Sequence, residues 1–292
     1  MPAVAGQGRW SSARWIWGLS GLITAAAIAV PGARLIASPG TDGDTIDAVP
    51  QHVVTRTETV PQLVTSLLVQ SYGGRVQVTS GQVNRVQITE TIGYDQGIDS
   101  PPVVTQSVSG GRLSLSYAVC SNVYCNVDFS VTVPPDVTVT VSTGGGPVTV
   151  SGTAGANLAS SGGPVRATLI RGPLTVDTSG GSLDVRGLSG PLRAATEGGP
   201  LVAQDLAAGT ATITTGGGPA MVTFATAPEK VSVSTGGGPA TLAVPGGPYN
   251  LTADSEGGSQ SVRIATDPTA LPSITIISGG GSLRVEPTGG AG

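Results

Sequence analysis

The sequence predicts an all-β protein, a β-solenoid whose coils are about 18 residues long and carry two strands each. Three observations predict it. A serine- or threonine-led glycine cluster returns eight times, at 142–147, 160–164, 178–182, 196–200, 214–219, 234–239, 255–259 and 278–282. The last glycine of each copy (Gly146, Gly163, Gly181, Gly199, Gly218, Gly238, Gly258, Gly281) follows the previous one at 17, 18, 18, 19, 20, 20 and 23 residues. Two and four positions beyond each of these glycines lies an aliphatic column, from Val148 and Val150 to Leu283 and Val285, that only Gln260 interrupts.

A period of two means a strand with one buried face. A second strand precedes each cluster, with inward pairs Val139/Val141, Leu174/Val176, Leu192/Ala194, Ala211/Ile213, Val231/Val233, Leu251/Ala253 and Ile274/Ile276. About 18 residues leave no room for a helix, so each unit is strand, glycine corner, strand and second turn. Glycine pairs are expected to supply the positive φ of a tight corner. Proline, which has no N–H, is expected where the ladder starts. Ordering one coil costs more than its few aliphatic side chains return, so the array has to be long. Small inward residues such as Ala167, Ala203, Ala220 and Ala240 predict a thin, flattened core.

The chain divides as follows. Residues 1–14 are a basic, acid-free N-terminus. Residues 15–36 open with sixteen uncharged residues, Trp15–Val30, before Pro31 and Gly32, with Trp15 and Trp17 placed for a membrane interface and Arg34 able to snorkel. This reads as an uncleaved transmembrane helix with a cytoplasmic N-terminus. A cleaved signal peptide processed near Ala27-Ile28-Ala29 is the alternative. Either would export the remainder. Residues 37–52 form an acidic linker. Its Asp42, Asp44 and Asp47 lack the further ligands of a calcium loop.

Residues 53–136 are strand-rich, at 53–60, 67–72, 75–79, 83–92, 103–108, 112–119 and 127–133. Gly74 (before Val76 and Val78) and Gly111 (before Leu113 and Leu115) read as outlying members of the repeat. The region is expected to begin the solenoid and cap it. Residues 137–287 are the regular array, and residues 288–292 a tail. Cys120 and Cys125, the only cysteines, bracket four residues between two strands. After an export signal, the expectation is a disulfide that closes a hairpin tip.

At this point the residues resemble a known family. The C-x-x-x-x-C hairpin, the run D-F-S-V-T-V-P-P-D-V-T-V-T-V at 128–141 and the serial G-x-V-x-V coils are similar to bacterial putative-adhesin domains of unknown function, the toast-rack-like β-solenoids. The resemblance spans about residues 60–287. It implies an extracytoplasmic solenoid, often membrane-tethered, and carries no catalytic residues with it.

Composition excludes several functions. Beyond residue 36 there are eighteen acidic and eleven basic residues, a formal charge of −7, the wrong sign for a nucleic-acid binder. The single histidine, His52, lies outside the array, so no Ser-His-Asp set can assemble within it. No glycine cluster runs into Lys-Ser or Lys-Thr, so none is a phosphate loop. No cofactor and no metal site are expected. The carboxylates Asp177 with Asp184, and Asp254 with Glu256, are the pairs a carbohydrate-active β-helix enzyme would use. Threonine pairs Thr138/Thr140 and Thr212/Thr214 do not recur in register along the sequence, which argues against ice binding. Asn250-Leu251-Thr252 matches a glycosylation sequon. The expected function is that of a non-enzymatic, membrane-tethered, adhesin-like or scaffold protein of the cell envelope. Its expected partners are the membrane and an envelope glycan or protein, with self-association through the terminal coil, Leu283–Val285, as a further expectation.

Overall fold

A computed structural model of the chain describes residues 52–94, 101–117 and 125–289. The predicted anchor and the predicted linker up to residue 51 lie outside these residues, while His52, the expected end of the linker, begins the first strand. Among the described residues no helix is long and apolar enough to cross a membrane. The described chain is all β. Its N-terminal part supplies β1 (His52–Thr59), β2 (Ser66–Ser71), β3 (Val76–Ser80), β4 (Gln87–Tyr94), β5 (Val104–Ser109), β6 (Arg112–Tyr117) and β7 (Asn126–Val133). The repeat follows as strand pairs around each glycine cluster: β8 and β9 (Thr138–Thr143, Val148–Ser151), β10 and β11 (Gly155–Ser160, Val165–Thr168), β12 and β13 (Leu174–Thr178, Leu183–Arg186). Then come β14 and β15 (Leu192–Thr196, Leu201–Leu206), β16 and β17 (Thr210–Thr215, Ala220–Phe224), and β18 and β19 (Lys230–Thr235, Ala240–Val244). The last pairs are β20 and β21 (Asn250–Asp254, Gln260–Val262), and β22 and β23 (Ser273–Ser278, Leu283–Pro287).

Each coil gives one strand to each of two sheets. The strands after the clusters form a twelve-stranded sheet ordered β1-β4-β7-β3-β9-β11-β13-β15-β17-β19-β23-β21. The strands before them form an eleven-stranded sheet ordered β20-β22-β18-β16-β14-β12-β10-β8-β2-β6-β5. Pairing within the array is parallel and keeps the repeat in register, as in Val148↔Val165↔Leu183↔Leu201↔Ala220↔Ala240↔Leu283. The predicted inward positions, Leu251, Ala253, Gln260 and Val262 of the outermost coil apart, are buried between the sheets.

Sequence order and spatial order part company at both ends. β2 and β3 slot in between the β6/β7 layer and the β8/β9 coil. At the other end β22 and β23 insert between the β18/β19 coil and the β20/β21 coil. Leu283–Val285 is therefore interior, not terminal as expected. The outermost coil contains Gln260, the one break in the aliphatic column, and at the edge of the stack an inward polar residue costs little. Gly111 is also reassigned. With Gly110 it makes the two-residue turn of the antiparallel β5–β6 hairpin, both glycines having positive φ (57° and 78°). Gly74 does belong to the repeat, because Val76 and Val78 align with Val148 and Val150.

The cluster glycines are needed for a reason other than the expected one. None of the eight marker glycines has positive φ. Each instead sits against the backbone of the neighbouring coil. A Cβ on Gly163 would lie 2.2 Å from the Gly146 carbonyl oxygen, on Gly181 2.1 Å from that of Gly163, and on Gly199 2.0 Å from that of Gly181. The column continues through Gly218, Gly238, Gly281 and Gly258, in the spatial order of the coils. The expected positive φ is found at the corner only in the last two clusters, at Gly257 (102°) and Gly280 (113°) with Glu256 at 44°. In earlier coils it occurs at the second turn, six residues past the marker, in Gly152, Leu169, Gly187 and Asp205.

At the N-terminal end, antiparallel β1 and β4 extend the first sheet and β5 ends the second. The inward face there turns polar. Arg56 stands opposite Glu90, and Gln106 of β5 donates to Glu58 Oε1 at 3.0 Å. Burial raises the Glu90 carboxyl above its ordinary range, against the pull of Arg56 and with a push from Glu58.

Two predictions follow from these contacts. Gly181→Ala should lower stability by about 2–3 kcal/mol through backbone overpacking. Gly180→Ala, whose Cβ would meet nothing within 4 Å, should stay within about 0.5 kcal/mol of the parent in denaturant titration. Because the folded state holds the Glu90 proton more tightly than the unfolded state, stability should fall as pH rises from the ordinary glutamate value through the raised folded one. Glu90→Gln should remove that fall, raising the Tm at about pH 8 and leaving it unchanged at about pH 3.

Candidate functional site

The outer faces of the two sheets carry the functional groups. On the β11–β13 face, Asp184 accepts from Arg166 Nη2 at 3.1 Å and from Arg186 Nε at 2.9 Å. Register forces the meeting, since Arg166 and Asp184 are ladder partners and Arg186 lies two residues on. Asp177 occupies the outer face of the opposite sheet, on β12. Two sheets packed at ~10 Å separate these carboxylates, so they cannot flank one bond. Asp254 and Glu256 do not share a strand face either. β20 ends at Asp254, whose Oδ1 accepts from the Glu256 N–H at 3.0 Å, and Glu256 sits in a turn with φ 44°. His52 opens β1, its ring centroid 5.9 Å from that of Tyr94. Asn250 and Thr252 lie on the edge strand β20. Asp42, Asp44 and Asp47 lie outside the described residues.

The second sheet holds a groove that no single copy of the repeat announces. Residues four before the marker, Ser142, Ala159, Asp177, Ala195 and Thr214, come from five successive coils and form one row. Ser161, Ser179 and Glu197 border it on the glycine side. The groove has a volume of about 480 Å³ and runs along the solenoid axis for four ladder steps, ~19 Å. Its floor is a second column, one hydroxyl per coil three residues before each marker glycine. The Gly163 N–H donates to Ser160 Oγ at 2.9 Å and the Gly199 N–H to Thr196 Oγ1 at 3.0 Å. Thr215, Thr235 and Ser255 instead donate to the carbonyls of Gly218, Gly238 and Gly258, each at 2.6 Å. These hydroxyls are buried and bonded, so they build the corner and leave the outward hydroxyls and carboxylates to meet a ligand. Their signal was present in the sequence, because every copy carries Ser or Thr at that position.

The ladders keep the Thr138/Thr140 and Thr212/Thr214 pairs two positions out of step, since Thr212 aligns with Thr140 and Thr214 with Ser142. Thr140, Thr175, Thr212, Thr275 and Thr252 do fall in one outer row, but Asn157, Arg193 and Ser232 interrupt it. Cys125 is partly buried against the core just before β7. Cys120 lies outside the described residues.

A parallel two-sheet β-solenoid with polar outer faces is thus the class this fold defines. No family model and no curated protein matches the chain. Among solved structures, a putative adhesin from Parabacteroides merdae covers 80% of this chain and 96% of its own, at 13% identity and TM-score 0.54. Another, from Parabacteroides distasonis, covers 81% of this chain and 97% of its own, at 11% identity and TM-score 0.54. The resemblance read from the sequence holds at the level of fold.

Proposed function

We propose that this chain is a non-enzymatic, adhesin-like protein of the cell envelope. In this reading residues 15–36 tether it to the membrane and the solenoid lies outside. The groove across the β8–β16 face carries the proposal, because it presents one small or polar side chain per coil along the axis. Such a site suits an extended polymer rather than a compact metabolite. Hydroxyls with Asp177 and Glu197 offer hydrogen bonds to hydroxyl- or amine-bearing chains, which fits an envelope glycan. The negative net charge disfavours a polyanion. The names of the fold neighbours support surface adhesion. The carbohydrate-enzyme alternative loses its motivating pairs, since Asp177 and Asp184 face opposite ways and Asp184 is held by two arginines.

Binding of the full chain, purified in detergent, to envelope glycan fractions tests this reading. Ala195→Trp should fill the groove and weaken binding tenfold or more, about 1.4 kcal/mol, with the melting temperature unchanged. Asp177→Asn with Glu197→Gln should also weaken it. Undiminished binding by Ala195→Trp would remove the groove from the mechanism, and sugar released during the assay would restore the enzyme reading.

Export also implies an oxidising compartment, and Cys120 with Cys125 is proposed as a disulfide there. Under oxidising conditions Cys125→Ser should cost about 2 kcal/mol in denaturant titration, the loop-entropy value for so short a closure. An equal loss after reduction of the parent would attribute the effect to the bond.

A further inference from the structure

Among the described residues, β1 is the outermost strand of the twelve-stranded sheet and pairs only with β4. It is eight residues long, regular and rich in β-branched residues, and it is exposed along nearly all its length, with Val53 61% and Val54 37% accessible. The other edges are blunted or featureless. β21 has three residues, β20 is bridged beyond its start by Tyr249↔Thr266, and β5 carries no charged residue to set a register.

The backbone of β1 has a defined polarity of bonding. Val60 N–H donates to Val86 O at 2.9 Å, continuing the β1–β4 pairing. Antiparallel bonding alternates, so Glu58, Arg56 and Val54 also bond towards β4. Val53, Thr55, Thr57 and Thr59 therefore turn their N–H and C=O groups to the open edge.

We infer that β1 is a dimerisation strand that pairs antiparallel with β1 of a second copy, with Thr57 facing Thr57 of that copy. Outward-bonding residues must face each other, which leaves a short set of registers. Centring on Arg56 opposes two arginines, and centring on Glu58 opposes two glutamates. Centring on Thr55 leaves both charges opposite uncharged residues. Centring on Thr57 sets Arg56 against Glu58 of the second copy, and Glu58 against its Arg56. The same register pairs Thr55 with Thr59 and forms about six backbone hydrogen bonds. Both twelve-stranded sheets then become one ladder through a two-fold axis at Thr57. The inference does not depend on the ligand of the groove.

Light scattering of the full chain in detergent should give a protein mass twice the 28.7 kDa of one chain. Thr57→Cys should form an intermolecular disulfide on mild oxidation, and Ser107→Cys on β5 should not. Thr57→Pro removes an edge donor and no β1–β4 bond, so it should yield a monomer with unchanged melting. Arg56→Glu and Glu58→Arg should each be monomeric alone and form a heterodimer when mixed, because the mixture restores both opposite-charge pairs. A parent that stays monomeric at every concentration overturns the inference, as does a dimer that survives Thr57→Pro or a mixture that fails to pair. A second chain segment on this edge, such as residues 37–51 of the same chain, would show itself as the monomeric outcome with no Thr57→Cys cross-link.

Discussion

The fold rests on one contact repeated from coil to coil, a glycine α-carbon against the carbonyl oxygen of the glycine one layer away. At about 2 Å from that oxygen there is no position for a Cβ, so every copy of the corner must be glycine. The approach sets how tightly the chain turns from one sheet into the other, and hence the thickness of the core. Small inward residues such as Ala167 and Ala203 are what such a thin interior can hold. The buried hydroxyl three residues earlier completes the corner. It bonds the glycine backbone that the turn takes out of the ladders, and so prevents an unsatisfied polar group beside the core.

Much of this was legible along the chain. Strand parity placed nearly every inward residue, because a period of two is insensitive to the connections between strands. Parity also contained a fact that pairing by turn obscured. Asp177 and Asp184 are both outward, one on each strand of a coil, and two outward residues on opposing sheets face away from each other. The role of the glycines was read wrongly because sequence shows that a residue lacks a side chain, not which neighbour requires it. Outside the last two clusters, where Gly257 and Gly280 have positive φ, that conformation is taken at the second turn, and Leu169 and Asp205 adopt it there without being glycine.

Spatial order at the ends was not legible. The β20/β21 and β22/β23 pairs have equivalent patterns, and either could have been outermost by periodicity alone. Gln260 was the sole clue, an inward polar residue that an interior coil would not tolerate. The groove was hidden for a related reason. Asp177 and Glu197 lie in different coils, and only the parallel register gathers them with Ser142 and Thr214 around one groove. A repeat protein builds a stiff platform from what its copies share, and a distinctive surface from the outward positions at which they differ.

The inserted C-terminal pair also bears on how the molecule would respond to tension. In a simple solenoid the last coil is held on one side, and a load on the chain end can peel it away one hydrogen bond at a time. Here β23 lies between β19 and β21, and β22 between β18 and β20. A pull on the tail loads the two parallel ladders of β23 lengthwise, so their bonds must yield together rather than in succession. Such an arrangement works as a clamp against unravelling.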